Sequence, residues 1–364
     1  MPCSIPIVTV CLFFQFCIYT YNFFSKVSDK SNMSSKRTKP DKELHVSLSN
    51  EDTDLFESAW ETARSNHGQV LSFYLPGMIK YGKERGNYPA ISITGNRCEL
   101  MCEHCKGNLL SPMINVTDSE ELVNICKRLA KNGAHGILLS GGANHKAKLP
   151  WEKYFKAIER ISQQTSLYIS AHTGFPDYES CCLLKKAGVK QGLIDVMGDE
   201  KTATHVYHLN GLKPLFHALD AIRKSGLELI PHIVAGLLHG NIEAEYRALE
   251  IISHYQPTAL VIVVLTPLKG TPMSNVSPPA PLEVGRLIAR ARLLMPEIPI
   301  SLGCERPRNR EGTLMEKLAI RAGVNRMAIW SEEAIREAEK LDLIPRFQAT
   351  CCSLHYHPKF SASN

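Results

Sequence analysis

From residue 89 onward, short runs of aliphatic and β-branched residues alternate with longer segments whose apolar positions recur every three or four residues. The first kind suits a strand buried on both faces, the second a helix laying one stripe on a sheet. Their alternation is the pattern of βα units in a parallel sheet. It predicts strands at 89–95 (PAISITG), 136–141, 167–174, 192–198, 227–236, 258–267, 298–305 and 324–330. Helices are predicted at 118–132, 151–164, 177–187, 213–225, 242–255, 281–295, 312–322 and 331–341. Eight strands, each followed by a helix, predict an α/β fold of the closed (β/α)8 TIM-barrel type. Helical period over 51–82 predicts an N-terminal helical extension, so the barrel with its extension is expected over 51–345. After 345 the period stops, and 346–364 is expected to be an irregular tail rich in Cys and His.

Ahead of the extension, residues 5–24 carry no charge and are long enough to cross a bilayer, and a polar linker runs from there to 50. Lys26, Lys30, Lys36, Arg37, Lys39 and Lys42 all follow the apolar run, the reverse of a cleaved secretory signal. An anchor of that polarity would leave the barrel on the cytoplasmic side. Met33 offers a second reading, in which translation starts there and residues 1–32 are upstream sequence.

Composition changes little. With 364 residues and 44% hydrophobic positions the chain can bury a large core. The net charge of +6 comes from scattered Lys and Arg, which is no footprint for nucleic acid. Twelve cysteines without regular spacing do not form the framework of a small secreted domain, so a reducing, cytoplasmic setting is expected.

The cysteines carry the chemistry. Cys98, Cys102 and Cys105 lie as CxxxCxxC in the loop after the first predicted strand, and closed structural metal sites want four ligands. Other unusual clusters also fall at strand C-terminal ends, where barrel enzymes place their active sites. Ser140, Gly141 and Gly142 end the second strand, His172 the third; Asp195 lies in the fourth, His232 and Gly236 in the fifth. Gly270 follows the sixth in PLKGTPM, and Cys304 the seventh in GCERP. A carboxylate in an apolar strand is costly to bury alone, which makes Asp195 a candidate catalytic group with His172. His172 equally suits a hydrogen-bonded core position. Three close cysteines also suit half a zinc site, completed by His104, His135 or the tail cysteines. Cys126, Cys181 and Cys182 fall in helical segments and read as small buried hydrophobes.

CxxxCxxC after the first strand of a (β/α) barrel resembles the radical S-adenosylmethionine (radical SAM) superfamily. The resemblance implies a [4Fe-4S] cluster on Cys98, Cys102 and Cys105, with SAM completing the fourth iron. It implies cleavage of SAM to methionine and a 5′-deoxyadenosyl radical, fed by an electron donor such as ferredoxin or flavodoxin. Gly141 and Gly142, with Ser140, resemble the family's SAM-binding glycines, although Ala143 replaces its acidic residue. His104 holds the position that is usually aromatic, near the adenine. HIVAGLLHG (232–240) and PLKGTPM (267–273) resemble adenosine-side segments of biotin synthase and its relatives, which brings in Gly236 and Gly270.

ISITGNRCELMCEHCKGNLL, LGCERP and the final CC resemble biotin-synthase-related proteins, including components of two-protein lipoyl synthases. That implies sulfur insertion into an octanoyl group on a carrier-protein lysine, with a second radical SAM subunit as partner. Cys304, Cys351 and Cys352 would then hold an auxiliary cluster, with Arg306 or Ser353 as an unusual fourth ligand; a plain structural role is the alternative. Rearrangement or methylation chemistry, or a non-catalytic iron-sulfur or zinc protein, are the other readings.

Overall fold

The computed structural model describes residues 47–77, 79–355 and 357. The apolar run at 5–24, its flanking charges and most of 356–364 lie outside the described residues. No helix among the described residues is long and apolar enough to cross a membrane.

All eight predicted strands form. In chain order the elements are α1 (Asn50–His67), β1 (Val70–Tyr74), β2 (Lys80–Tyr81), β3 (Glu84–Arg85), β4 (Ala90–Ser92), β5 (Ile114–Asn115), α2 (Ser119–Lys131), β6 (Gly136–Ser140) and α3 (Phe155–Gln164). There follow β7 (Tyr168–His172), α4 (Tyr178–Ala187), β8 (Gln191–Asp195), α5 (Glu200–His205), α6 (Lys213–Lys224), β9 (Glu228–Ala235), α7 (Glu243–Ser253) and β10 (Leu260–Val264). The last are α8 (Pro281–Leu294), β11 (Ile300–Leu302), α9 (Arg310–Arg321), β12 (Arg326–Ala328), α10 (Glu332–Lys340) and β13 (Ile344–Gln348).

One curled sheet holds eleven strands in the order β13-β1-β12-β11-β10-β9-β8-β7-β6-β4-β5, with every pairing parallel. Helices cover the outer face, and their apolar stripes meet residues such as Ile137, Ile169, Ile233 and Ile262, all buried. A parallel sheet wound this way points the C-terminal ends of its strands in one direction. That common end carries the candidate residues.

Among the described residues the sheet is a half-barrel, open between β13 and β5, and not the closed eight-stranded barrel expected; two stretches differ as well. Helix was expected to 82, but α1 stops at His67, where Gly68 takes a positive φ of 63°, and Val70–Tyr74 then extends as a strand between β12 and β13. The tail was expected to be irregular, yet Ile344–Gln348 pairs with β1 at the sheet edge. Pro345 is tolerated there because an edge strand leaves one row of backbone amides unused.

Beyond β13 the chain turns into the sheet's concave side. Cys352 packs with Tyr74, Leu193, Ile230, Val261 and Ala328. Arg326 Nη1 donates to the carbonyls of Cys352 (3.3 Å) and Ser353 (3.2 Å), and Ser301 Oγ to Cys352 O (3.1 Å). Ser353 Oγ donates to Gln191 Oε1 (3.0 Å), and Tyr74 Oη to Leu354 O (2.9 Å). Gln191 and Arg326 open their strands, so residues 352–354 floor the barrel at its N-terminal end.

Candidate active site

The cysteine loop is bound to its neighbours on two sides. On one, Thr94 Oγ1 accepts from Gly142 N (2.7 Å) and donates to Arg97 O (3.0 Å), while Glu99 N and Leu100 N both donate to Ala143 O (2.9 and 3.0 Å). A Cβ on Gly142 would lie 1.9 Å from Arg97 O and 2.6 Å from Cys98 Cβ, so only glycine lets β6 approach the loop this closely. On the other side, Glu103 N donates to Val206 O (2.9 Å), and Glu103 Oε1 meets Lys106 Nζ (2.8 Å) and His208 Nε2 (2.9 Å). Met101 and Lys106 hold positive φ, of 47° and 45°. Strain of that kind persists only where surroundings fix it, and it clusters at functional sites.

Within this frame the side chains converge. A ring nitrogen of His104 and the Sγ atoms of Cys102 and Cys105 all lie within 4.8 Å of one another. Cys98 Sγ donates to Ala143 O (3.8 Å) from the facing side. The Cys102 thiol donates to Cys105, which draws the Cys105 thiol down to about 4 and, with burial, pushes Cys102 up. His104 Nδ1 is buried and has no hydrogen-bond partner. Two soft thiols and an imidazole nitrogen this close together, with Cys98 on the same loop, suit a cysteine-held group such as an iron-sulfur cluster.

The predicted Ser140, Gly141 and Gly142 lie directly against this loop, with Ser140 O accepting from Ile93 N (2.8 Å). Because the Gly142 amide is taken by Thr94, its part in this structure is to seat the cysteine loop. Gly236, with a φ of 80°, gives its amide to Glu245 Oε1 (2.9 Å), and Gly270, with a φ of 83°, lies in a turn with open space around it.

A set of partly buried side chains lies near the loop, Asp195 being close to Cys102. Leu138, His172, Asp195, His232, Val234 and Val263 point inward yet keep part of their surface open. His172 Nε2 and Asp195 Oδ1 are 3.4 Å apart, with 29% and 32% of their side chains exposed. Tyr207 Oη donates to Asp195 Oδ2 (3.4 Å), and the rings of His172 and His232 lie 5.5 Å apart. Burial by itself would raise the Asp195 pKa, but the charge and hydrogen bond of His172, with His232 and His104 nearby, bring it down to about 2. Burial would lower His172, and Asp195 more than offsets it, so the imidazole titrates above its usual value. His232, buried and beside His172, is lowered to about 4. Asp195 thus favours the protonated form of His172, while His232 is held the less basic of the two imidazoles.

Cys304 and Cys352 lie close to Cys351, which in turn lies near His172. The Cys352 thiol donates to Cys351, which draws Cys351 down to about 6 and raises Cys352. Cys304 keeps exposed surface, while desolvation by its neighbours and the nearby Cys351 push its thiol up to about 11. Arg306 is not the free ligand expected from the sequence: its terminal nitrogens serve Gly303 O (2.5 Å), Ala328 O (2.9 Å), Glu316 Oε1 (2.6 Å) and Ile329 O. Ser353 Oγ is bonded to Gln191. The guanidinium beside Cys304 is that of Arg308, which donates to Cys304 O.

Sequence reasoning gave no part to Thr94 or Tyr207. Thr94 ends a strand beside the motif, a usable signal; Tyr207 follows a short helix and carries none.

No protein-family model matches the sequence. Among curated proteins it is similar to biotin synthases. That of Thermodesulfovibrio yellowstonii is 24% identical over 212 residues, 58% of this chain and 66% of that protein. That of Pelotomaculum thermopropionicum is 24% identical over 248 residues, 66% of this chain and 75% of the relative. The chain therefore spans about two thirds of the first relative's length. Among solved structures, methylornithine synthase (PylB) aligns over 83% of this chain and 91% of its own at 17% identity, with a TM-score of 0.58. The [FeFe]-hydrogenase maturase HydG from Carboxydothermus hydrogenoformans aligns over 87% and 76% at 17% identity, with a TM-score of 0.60. These two likenesses show the fold.

Proposed function

We propose that this chain, which is similar to biotin synthases, is a radical SAM protein that inserts sulfur at an unactivated carbon. We take the substrate to be an octanoyl group carried on a protein lysine. Its cofactors are a [4Fe-4S] cluster and SAM, and in this reading Cys98, Cys102 and Cys105 hold the cluster. When bound, that pair supplies a 5′-deoxyadenosyl radical able to take hydrogen from an alkyl carbon.

The observation that supports sulfur insertion is that both cysteine sets border the same pair of groups, Cys102 lying near Asp195 and Cys351 near His172. Cys304, Cys351 and Cys352 would hold an auxiliary cluster there as the sulfur source. Leu138, Val234 and Val263 offer an apolar wall to an alkyl chain, and the His172–Asp195 pair offers a donor and an acceptor to its amide end. In this reading the loop seated by Gly142 and Glu103 would hold the radical source in a fixed position for that chain. An electron donor such as ferredoxin or flavodoxin, a lipoyl-carrier protein and a second radical SAM subunit are the partners this reading calls for. A reducing, cytoplasmic setting fits the nine unpaired cysteines among the described residues.

Anaerobic reconstitution tests the reading. About eight irons, with dithionite-driven release of 5′-deoxyadenosine, are expected. Cys304→Ala should keep about four irons and SAM cleavage while losing product. Full product from that variant would remove the sulfur-donor role and leave rearrangement or methylation. Bound zinc without cleavage would remove the radical reading.

A further inference from the structure

His104 stands against the motif cysteines, with its ring in hydrogen-bond contact with the Cys105 thiol. One of its ring nitrogens lies within 4.8 Å of both the Cys102 and Cys105 sulfurs. Its Nδ1 is buried and without a hydrogen-bond partner, a costly state for an imidazole nitrogen. The ring has little room to swing away. Glu103, the preceding residue, is tied to Val206, His208 and Lys106, and the Tyr207 ring lies 5.6 Å from the imidazole with its hydroxyl bonded to Asp195. An imidazole so placed serves the cysteine-bound group better than it serves an adenine.

We infer that His104 is the fourth protein ligand of the cluster when SAM is absent, and that SAM displaces it. The inference rests on the cluster reading above. Imidazole is a competent ligand for cluster iron, as in the two-histidine iron of Rieske centres. The exchange balances without redox change: one Fe–N(imidazole) bond breaks and bonds to the amino and carboxylate groups of SAM form, with no electron transferred. The three-cysteine motif is thus closed by its own penultimate residue until the cofactor arrives, which keeps the open iron from solvent and from stray ligands.

The test is pulsed electron paramagnetic resonance on the full chain, reconstituted anaerobically, reduced with dithionite and labelled with 15N-histidine, so that the nitrogen of SAM is distinguishable. Without SAM, a strong 15N hyperfine coupling from a coordinated imidazole is expected. That coupling is lost on adding SAM and is absent from His104→Phe. The same variant should bind SAM more tightly than the parent, because nothing has to be displaced. A four-iron cluster that shows no 15N-histidine coupling in the SAM-free parent overturns the inference and leaves the cluster reading intact. Zinc in place of iron overturns both.

Discussion

Replacing Gly142 by alanine adds a single methyl group, yet the structure places that group in the worst position available. The Cβ would sit 1.9 Å from Arg97 O, 2.5 Å from Cys98 Cα and 2.6 Å from Cys98 Cβ. The first two are backbone atoms, so no rotamer change relieves them. Restoring ordinary contact at 3.4 Å requires the Arg97 carbonyl to move by about 1.5 Å. Thr94 ties that carbonyl to the Gly142 amide, so the movement also opens the clasp holding the cysteine loop. Overpacking of this kind costs about 1–3 kcal/mol of stability. The larger effect falls on function, because ligand positions in metal sites tolerate only about 0.2 Å, and a misplacement of about 1 Å at a reacting centre can cost about 10²-fold in rate. Gly142→Ala is expected to fold, to load less than half the iron of the parent and to release 5′-deoxyadenosine about 10²-fold more slowly. Gly141→Ala is the matched control. Its Cβ would meet only Thr94 and Ile93 side-chain atoms at 3.2–3.3 Å, which can yield by a few tenths of an ångström, so near-parental loading is expected. Chemical iron analysis, urea unfolding and a dithionite-driven turnover assay on the three proteins decide the matter. Parental iron content and turnover in Gly142→Ala would refute the claim that β6 seats the loop.

Two further predictions concern stability. Asp52 closes the capping box of α1 with Ser49 and takes two bonds from Arg286 of α8 (2.6 and 2.9 Å), and chiefly through Arg286 its carboxyl is held well below the usual carboxylate range. A depressed carboxyl adds stability that is complete above its ordinary value of 3.8 and lost as pH falls below it. Asp52→Asn should therefore cost about 1–2 kcal/mol at pH 7, Arg286 being partly in solvent, and the gap should narrow progressively as pH falls below 3.8 in urea titrations; a gap that stays constant down to the acid limit of the fold would count against the pair. Glu245 is raised to about 7 by burial, with its Oε2 unpartnered, while Oε1 accepts from Gly236 N and Leu237 N. A raised carboxyl stabilises most at low pH, and that contribution is lost as pH climbs from 4.5 to about 7. Thermal unfolding should show the parent losing ground to Glu245→Gln between pH 5 and 7.5, and parallel curves would sink the assignment.

The barrel was legible because strands buried on both faces have little choice of composition: LYISAH and LVIVV admit few other readings. HGQVLSFYL before the barrel is equally apolar, but five residues are too few to show a period, and only Gly68 hinted that the helix ends there. IPRFQ hid its strand behind a proline that an edge position tolerates. The three motif cysteines, His172 and Asp195 were visible as polar or sulfur-bearing residues at strand ends. What spacing could not reveal was which partners the donors choose. Arg306 looked available beside Cys304, yet buried carbonyls and Glu316 claim it, while two residues on, Arg308 takes the place beside the thiol. Tyr207 joins the site from a loop whose sequence follows no pattern.

The floor of the barrel has a consequence for the order in which this protein is made. Residues 351–354, which plug the concave side and bring in two thiols, are encoded after every strand that surrounds them. A nascent chain with β4 through β12 already outside the ribosome still lacks the residues that satisfy Gln191, Ser301 and Arg326. Until translation passes them the interior stays wet and its polar groups unmatched, so this end of the sheet closes after its strands have been made, as a separate step of folding.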